Sequence, residues 1–185
     1  MTSVQDFKAR LSDFAGAKVF KHSALNIRNG AGVFEEVLGA GKYRRIVEIG
    51  TRRGVTAAYM ATFPVDKVMT IDLIDGQVDK ALQEYDRRIL WDAVGVGDRV
   101  ELFLVKDDHE KQKLINALDF DFAFVDGDHS FNGVALDFQA VKRCGAVLFH
   151  DYEPGTSVAR FIDGLPRDGV TIMDLFAFWR CSAPT

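Results

Sequence analysis

Five short runs of aliphatic, β-branched and aromatic residues recur along the chain: RRIVEI (44–49), KVMTID (67–72), RVELFLV (99–105), FDFAFV (120–125) and GAVLFH (145–150). Between them lie VTAAYMATF (55–63), QVDKALQEYDRRILWDAV (77–94), HEKQKLINAL (109–118) and FNGVALDFQAVKR (131–143). These carry apolar residues at helical spacing, Val134, Phe138 and Val141 forming one such stripe. A strand that is apolar at nearly every position has no face for solvent. Strands of this kind alternating with helices build a parallel sheet covered on both sides, so the pattern predicts a doubly wound α/β fold with helices on both faces. SVARFIDGL (157–165) adds a last helix, and GVTIMDLFAFWR (169–180) adds one or two strands at the sheet edge. Ahead of the first strand, helices are expected around 4–14 and 31–39, with KHSALNIRNG between them.

The 185 residues, 48% of them hydrophobic, suit one domain over 1–185 with a substantial core. Within it, 1–40 is an N-terminal helical segment, 41–155 the ligand-binding core, and 156–185 an edge helix and strands. With 23 basic against 27 acidic residues and a formal charge of -4, nothing favours a nucleic-acid or membrane surface as partner. No apolar run approaches the ~20 residues of a membrane span. The N-terminus MTSVQDFKARLSDF is amphipathic rather than signal-like, so a cytoplasmic location is expected. Cys144 and Cys181 stand far apart without a Cys-x-x-Cys partner and are read as ordinary buried or half-buried residues.

The first strand runs into Val47-Glu-Ile-Gly-Thr-Arg-Arg-Gly-Val-Thr56. Gly50 and Gly54 flank a turn that brings backbone close to a ligand and then opens a helix, whose free N–H groups attract an anion or polar group. The spacing Glu-x-Gly-x-x-x-Gly is not the dinucleotide G-x-G-x-x-G, and it sets a carboxylate, Glu48, two residues before the first glycine. The second strand ends in Asp72, 22 residues beyond Gly50, where a carboxylate can accept from both hydroxyls of a ribose. After the third strand, Asp107 or Asp108 could meet the exocyclic amine of an adenine or cap the helix beginning near His109.

FVDGDHSFNG (124–133) places two carboxylates and an imidazole directly after an apolar strand, and a polar turn, a metal site and an acid/base centre compete for it. Asp126 lies at the end of the fourth strand and His150-Asp151 at the end of the fifth; adjacent parallel strands are only about 5 Å apart, so these groups can converge. Asp126 and Asp151 offer hard oxygen ligands of the kind magnesium prefers, whereas His150 suits manganese, iron or zinc better. His129 is a candidate general base for a hydroxyl. Asp128 is a turn or site residue and Ser130 an N-cap for the next helix. His22 and His109 carry no carboxylate constellation.

Together, VEIGTRRGVT, TID, FVDGDHSFNG and GAVLFHDY resemble the class I S-adenosylmethionine-dependent methyltransferases over roughly residues 40–155. They are most similar to the small-molecule O-methyltransferase branch with an Asp-Gly-Asp-His-Ser-aromatic motif followed by His-Asp-aromatic. The resemblance implies a Rossmann-like, seven-stranded, mostly parallel sheet with a final antiparallel strand, and methyl transfer from S-adenosylmethionine. It implies that Glu48, Gly50, Thr51 and Gly54 line the methionine part of the cofactor, that Asp72 holds the ribose, and that Asp107 sits near the adenine, with Asp126 also beside the cofactor. His129 and Asp126 would be catalytic, and Asp126, His150 and Asp151 would hold Mg2+ or Mn2+. Arg52 stands where the family has a middle glycine and Arg53 follows it; solvent-pointing side chains or an anion contact both fit.

The implied activity is O-methylation of a small hydroxylated acceptor. A nicotinamide-dependent oxidoreductase is disfavoured by the missing G-x-G-x-x-G, and a catalytically inactive binding module by retention of Asp-x-x-His with His-Asp. Segments 15–35 and 152–185, with Phe20, Asn26, Tyr152, Phe176, Phe178 and Trp179, would shape the acceptor pocket or simply pack. So little material for a lid is compatible with a homo-oligomer in which a second subunit closes the site.

Overall fold

A computed structural model describes residues 4–15, 23–24, 30–74 and 87–181. Two helices, α1 (Val4–Ala15) and α2 (Gly30–Leu38), precede β1 (Arg45–Ile49). The alternation then runs α3 (Val55–Met60), β2 (Lys67–Leu73), α4 (Arg87–Ala93), β3 (Val100–Val105), α5 (Asp108–Ala117), β4 (Phe122–Val125), α6 (Phe131–Val141), β5 (Ala146–Phe149) and α7 (Ser157–Ile162). Two strands close it, β6 (Val170–Met173) and β7 (Phe176–Arg180). Of the helix predicted over 77–94, the part before Arg87 lies outside the described residues, as do Phe20, His22 and Asn26.

The strands form one seven-stranded sheet in the order β3-β2-β1-β4-β5-β7-β6. The first five strands of the chain pair in parallel, while β7 runs antiparallel to both β5 and β6. The antiparallel strand is therefore inserted beside β5, and the earlier β6 forms the edge.

The period of two along a strand sends alternate side chains to opposite faces. Ile46, Val68, Phe122, Phe124 and Leu148 join one core with Phe34, Tyr59 and Trp91. Val47, Ile49, Ile71, Val125 and Phe149 join the other with Ile115, Val134, Phe138 and Val158. Helices α1–α4 thus cover one side and α5–α7 the other. Phe34 meets Phe124 and Phe176 edge-to-face, with centroids 5.1 and 5.8 Å apart, and its truncation to alanine would cost about 3–5 kcal/mol. No described helix is long and apolar enough to cross a membrane. Cys144 is half-buried as expected, but Cys181 is exposed, because it follows β7 at the rim of the sheet.

Register aligns the carboxyl ends of the parallel strands. Ile49 is paired with both Ile71 and Val125, and Val125 with Phe149. One residue further on, Gly50, Asp72, Asp126 and His150 therefore stand side by side along one sheet edge.

Candidate active site

Gly50 has φ +97 and its N–H donates to the Ile71 carbonyl. A Cβ built on it would lie 2.2 Å from the Asp126 carbonyl oxygen, so only glycine lets the first turn close against the fourth-strand loop. Gly54, also left-handed at φ +72, starts α3, and its carbonyl accepts from the Trp91 indole at 2.8 Å. Arg52 adopts φ 45, a conformation natural to the glycine it replaces; its side chain is exposed and that of Arg53 half-buried.

Glu48 lies behind this turn, fully buried. Thr70, its partner in register on β2, donates to Glu48 Oε2, and the Thr70 and Thr51 hydroxyls are 2.6 Å apart. Burial holds the Glu48 carboxyl well above its ordinary range, against the Thr70 hydrogen bond and with help from the charges of Asp126 and Asp72. Its Oε1 has no hydrogen-bond partner among the described residues.

Asp72 stands at the β2 end as predicted, but it is already engaged. Its Oδ2 accepts from the Arg52 backbone N–H at 3.0 Å and from the Arg87 guanidinium at 3.2 Å, and its Oδ1 accepts from Leu73 N–H at 3.1 Å. Arg87 also donates to the Arg52 carbonyl at 2.6 Å. No motif marked Arg87; it is one basic position in an amphipathic run. Asp107 caps α5, accepting from Glu110 N–H at 2.8 Å, which uses Oδ1 of its exposed carboxylate.

The fourth-strand loop divides its labour. Asp128 accepts from the Ser130 N–H and hydroxyl at 2.8 and 2.9 Å, and Ser130 Oγ in turn accepts from Gly133 N–H as the N-cap of α6. Both are turn builders. Asp126 and His129 instead face His150 and Asp151. His129 sits half-exposed between two carboxylates, Nε2 at 3.5 Å from Asp126 Oδ1 and Nδ1 at 3.2 Å from Asp151 Oδ2. The Asp126 hydrogen bond is the main influence raising the His129 pKa, opposed by burial. Asp126 ends below its ordinary value: burial pushes it up, but the hydrogen bonds from both histidines prevail.

His150 is buried, its ring 4.9 Å from that of Phe176. Its Nδ1 lies 3.0 Å from Asp126 Oδ1 and 3.2 Å from Asp151 Oδ1. Burial favours the neutral ring, but the two carboxylates outweigh it and hold the pKa at about 10. The two carboxylates thus engage Nδ1, while the buried Nε2 has no hydrogen-bond partner among the described residues.

The ligand atoms that converge, all within 4.8 Å of one another, belong to Asp126, His129 and Asp151. This group differs from the expected set of Asp126, His150 and Asp151 at one position: His150 approaches the carboxylates from the buried side and His129 from the exposed side. Asp151 reaches this position through a left-handed backbone, φ 57, which aspartate tolerates.

Among the candidate pocket aromatics, Phe176 and Phe178 are core residues, and Trp179 packs edge-on against Phe138 at 5.0 Å. Tyr152 alone of the described ones stands at the rim, donating to Asp163 at 2.9 Å.

Comparison with known proteins bears on the fold and the family. No curated protein matches the chain significantly. Among solved structures, an O-methyltransferase from Bacillus cereus in complex with SAH has 18% identity and a TM-score of 0.67, over 97% of this chain and 92% of that one. The O-methyltransferase TomG from Streptomyces achromogenes, involved in tomaymycin synthesis and in complex with SAM, has 18% identity and a TM-score of 0.65, over 94% and 90%. The SAH-bound Podospora anserina methyltransferase PaMTH1 has 18% identity and a TM-score of 0.65, over 97% and 87%. These likenesses establish the fold. The profile of a family described as a methyltransferase domain matches residues 47–152, more than half of the chain, and this protein therefore belongs to that methyltransferase family, as its resemblance to the class I S-adenosylmethionine-dependent enzymes implied.

Proposed function

We propose that this methyltransferase moves a methyl group from S-adenosylmethionine to a hydroxyl oxygen of a small acceptor, with His129 taking the hydroxyl proton. The observation that carries this reading is the position of His129: 52% exposed at the rim of the sheet, with Nδ1 3.2 Å from Asp151, which can hold the ring from one side, and Nε2 at the longer 3.5 Å from Asp126, where it can take a proton. When bound, the cofactor supplies an electrophilic methyl on a sulfonium. His129 would take the proton that the acceptor hydroxyl gives up as its oxygen receives that methyl. The residues present fit the cofactor. The Gly50 turn packs closely against Asp126 at the strand ends, Asp72 can accept from ribose hydroxyls, and Asp107 has an oxygen beyond the one used in capping. Solved O-methyltransferases with SAM or SAH bound share the fold, which supports the same donor here.

A divalent cation is a second reading, favoured by the convergence of Asp126, His129 and Asp151. Two carboxylate oxygens and one imidazole nitrogen suit Mn2+, Fe2+ or Zn2+ better than Mg2+. An ion held there would lower the pKa of an acceptor hydroxyl, and His129 would then be a ligand rather than the base.

Calorimetry with S-adenosylmethionine, with and without Mn2+, tests the first reading; absence of binding under both conditions refutes it. With a panel of phenols and sugar alcohols as acceptors, His129→Ala is expected to lower the rate by roughly two to four decades while leaving donor affinity unchanged. Loss of all activity on chelation, restored by Mn2+, would favour the second reading.

A further inference from the structure

Beneath the fourth-strand loop lies a buried ion pair that the proposed chemistry does not use. Lys111 of α5 is 7% exposed and Asp137 of α6 is 0% exposed. The Lys111 ammonium stands 2.6 Å from Asp137 Oδ1 and 2.7 Å from Asp108 Oδ1. Such a pair adds little stability by itself, since taking both charges out of water offsets most of their attraction, and apolar replacements are often neutral or better.

Its placement is specific. Asp137 Oδ2 has no hydrogen-bond partner among the described residues and lies against Gly127. A Cβ on Gly127 would meet that oxygen at 3.1 Å and Ile49 Cγ2 at 3.1 Å. Gly127 therefore passes between the end of β1 and the Asp137 carboxylate with little room for a side chain. On either side of it the chain carries Asp126 and, two residues on, His129. The other end of the loop is tied near solvent by Asp128, Ser130 and Gly133. Through Asp108, the same ammonium also reaches the first turn of α5, immediately after Asp107.

We propose that Lys111 and Asp137 are positioning residues: the pair fixes the height of Gly127, and so the spacing of Asp126 and His129, from below the loop. This rests on the proposed function only in naming Asp126 and His129 as the working groups; the positional claim stands on its own.

The experiment compares the full-length wild type with Asp137→Asn, Lys111→Met and the apolar double variant Lys111→Met/Asp137→Leu. Amide hydrogen exchange is read at Asp126, whose N–H is bonded to the Ile49 carbonyl of β1, and at Ser130, bonded to the Asp128 side chain, with the other amides of β1 and β2 as internal references. Mn2+ and SAH binding are measured by calorimetry. Exchange at Asp126 and Ser130 is expected to rise about tenfold or more in all three variants, with the references within about twofold. The double variant is expected to regain thermal stability near wild type while its loop stays loose, which also covers the case in which a single variant fails to fold. SAH affinity is expected to hold within about threefold, since the proposed ribose and methionine contacts, Asp72 and the Gly50 turn, follow β2 and β1.

Unchanged loop exchange in the variants, equal acceleration in loop and strands, or recovery of loop protection along with stability in the double variant would overturn the proposal. A wild type that binds neither SAH nor Mn2+ would overturn the proposed function instead, and the exchange result would still decide the role of the pair.

Discussion

Alanine at Gly50 is the perturbation that most directly tests how the first turn and the fourth-strand loop are joined. The new Cβ would stand 2.2 Å from the Asp126 carbonyl oxygen and 2.6 Å from its carbon. Ordinary contact requires about 3.5 Å, so backbone would have to retreat by roughly 1 Å. The retreat would strain the hydrogen bond from Asp126 N–H to the Ile49 carbonyl. A left-handed alanine costs about 1–2 kcal/mol, overpacking against backbone about 1–3, and a weakened buried hydrogen bond about 1. A destabilisation of about 3–6 kcal/mol is therefore expected, a large share of the 5–15 kcal/mol typical of a native protein. Gly155 supplies the control. It has φ +89 with nothing within 4 Å of a built Cβ, so Gly155→Ala carries only the conformational cost. Urea unfolding followed by circular dichroism gives both values, and SAH calorimetry shows whether donor affinity falls with Gly50→Ala. If Gly50→Ala is no more destabilising than Gly155→Ala, the two motifs are not in rigid contact and the account of the turn is wrong.

Glu48→Gln tests the buried carboxyl. Because the folded pKa is raised, the native stability that depends on protonated Glu48 is fully present at low pH and is lost as pH rises through the folded value. The variant does not titrate there, so its stability relative to wild type is expected to increase with pH; a difference flat across urea titrations in acidic to alkaline buffers would contradict the assignment. At Asp107, alanine is expected to cost about 1 kcal/mol as a lost N-cap while asparagine leaves stability near wild type. If the carboxylate also meets adenine, both variants weaken SAH binding, and unaltered binding confines Asp107 to capping. Arg87→Met is expected to raise SAH affinity and reduce its salt dependence, because Asp72 Oδ2 is freed for a ribose hydroxyl. Weaker binding would instead make the guanidinium a clamp that holds Asp72 in place.

The strands were legible because burial on both faces leaves few polar positions to disguise them: RIVEI, FAFV and AVLF emerge within two residues of their predicted ends. The strand-end carboxylates were legible for the same reason, since register carries them to one edge. What sequence did not convey are contacts between positions with no local pattern in common. Nothing in FAFWR says that it slips between β5 and β6, and nothing in DRRILWDA points Arg87 at Asp72. His129 and His150 were distinguishable only by their surroundings: the ring of one is half-exposed, while the other is pressed against Phe176 and charged by two carboxylates. Asp137 reads as a polar position on an amphipathic helix, and burial reverses that meaning.

The insertion of β7 ties two strands to one docking step. β6 has no neighbour in the sheet except β7, so it joins the sheet only together with or after the later strand. Until then β5 presents an open edge of four apolar residues, AVLF, the kind of surface that recruits other chains. Phe176, which heads β7, is also the floor under His150. Closing the sheet and seating the acid–base cluster are consequently one event, and a chain arrested before it would be both sticky and unable to hold His150 against its carboxylates.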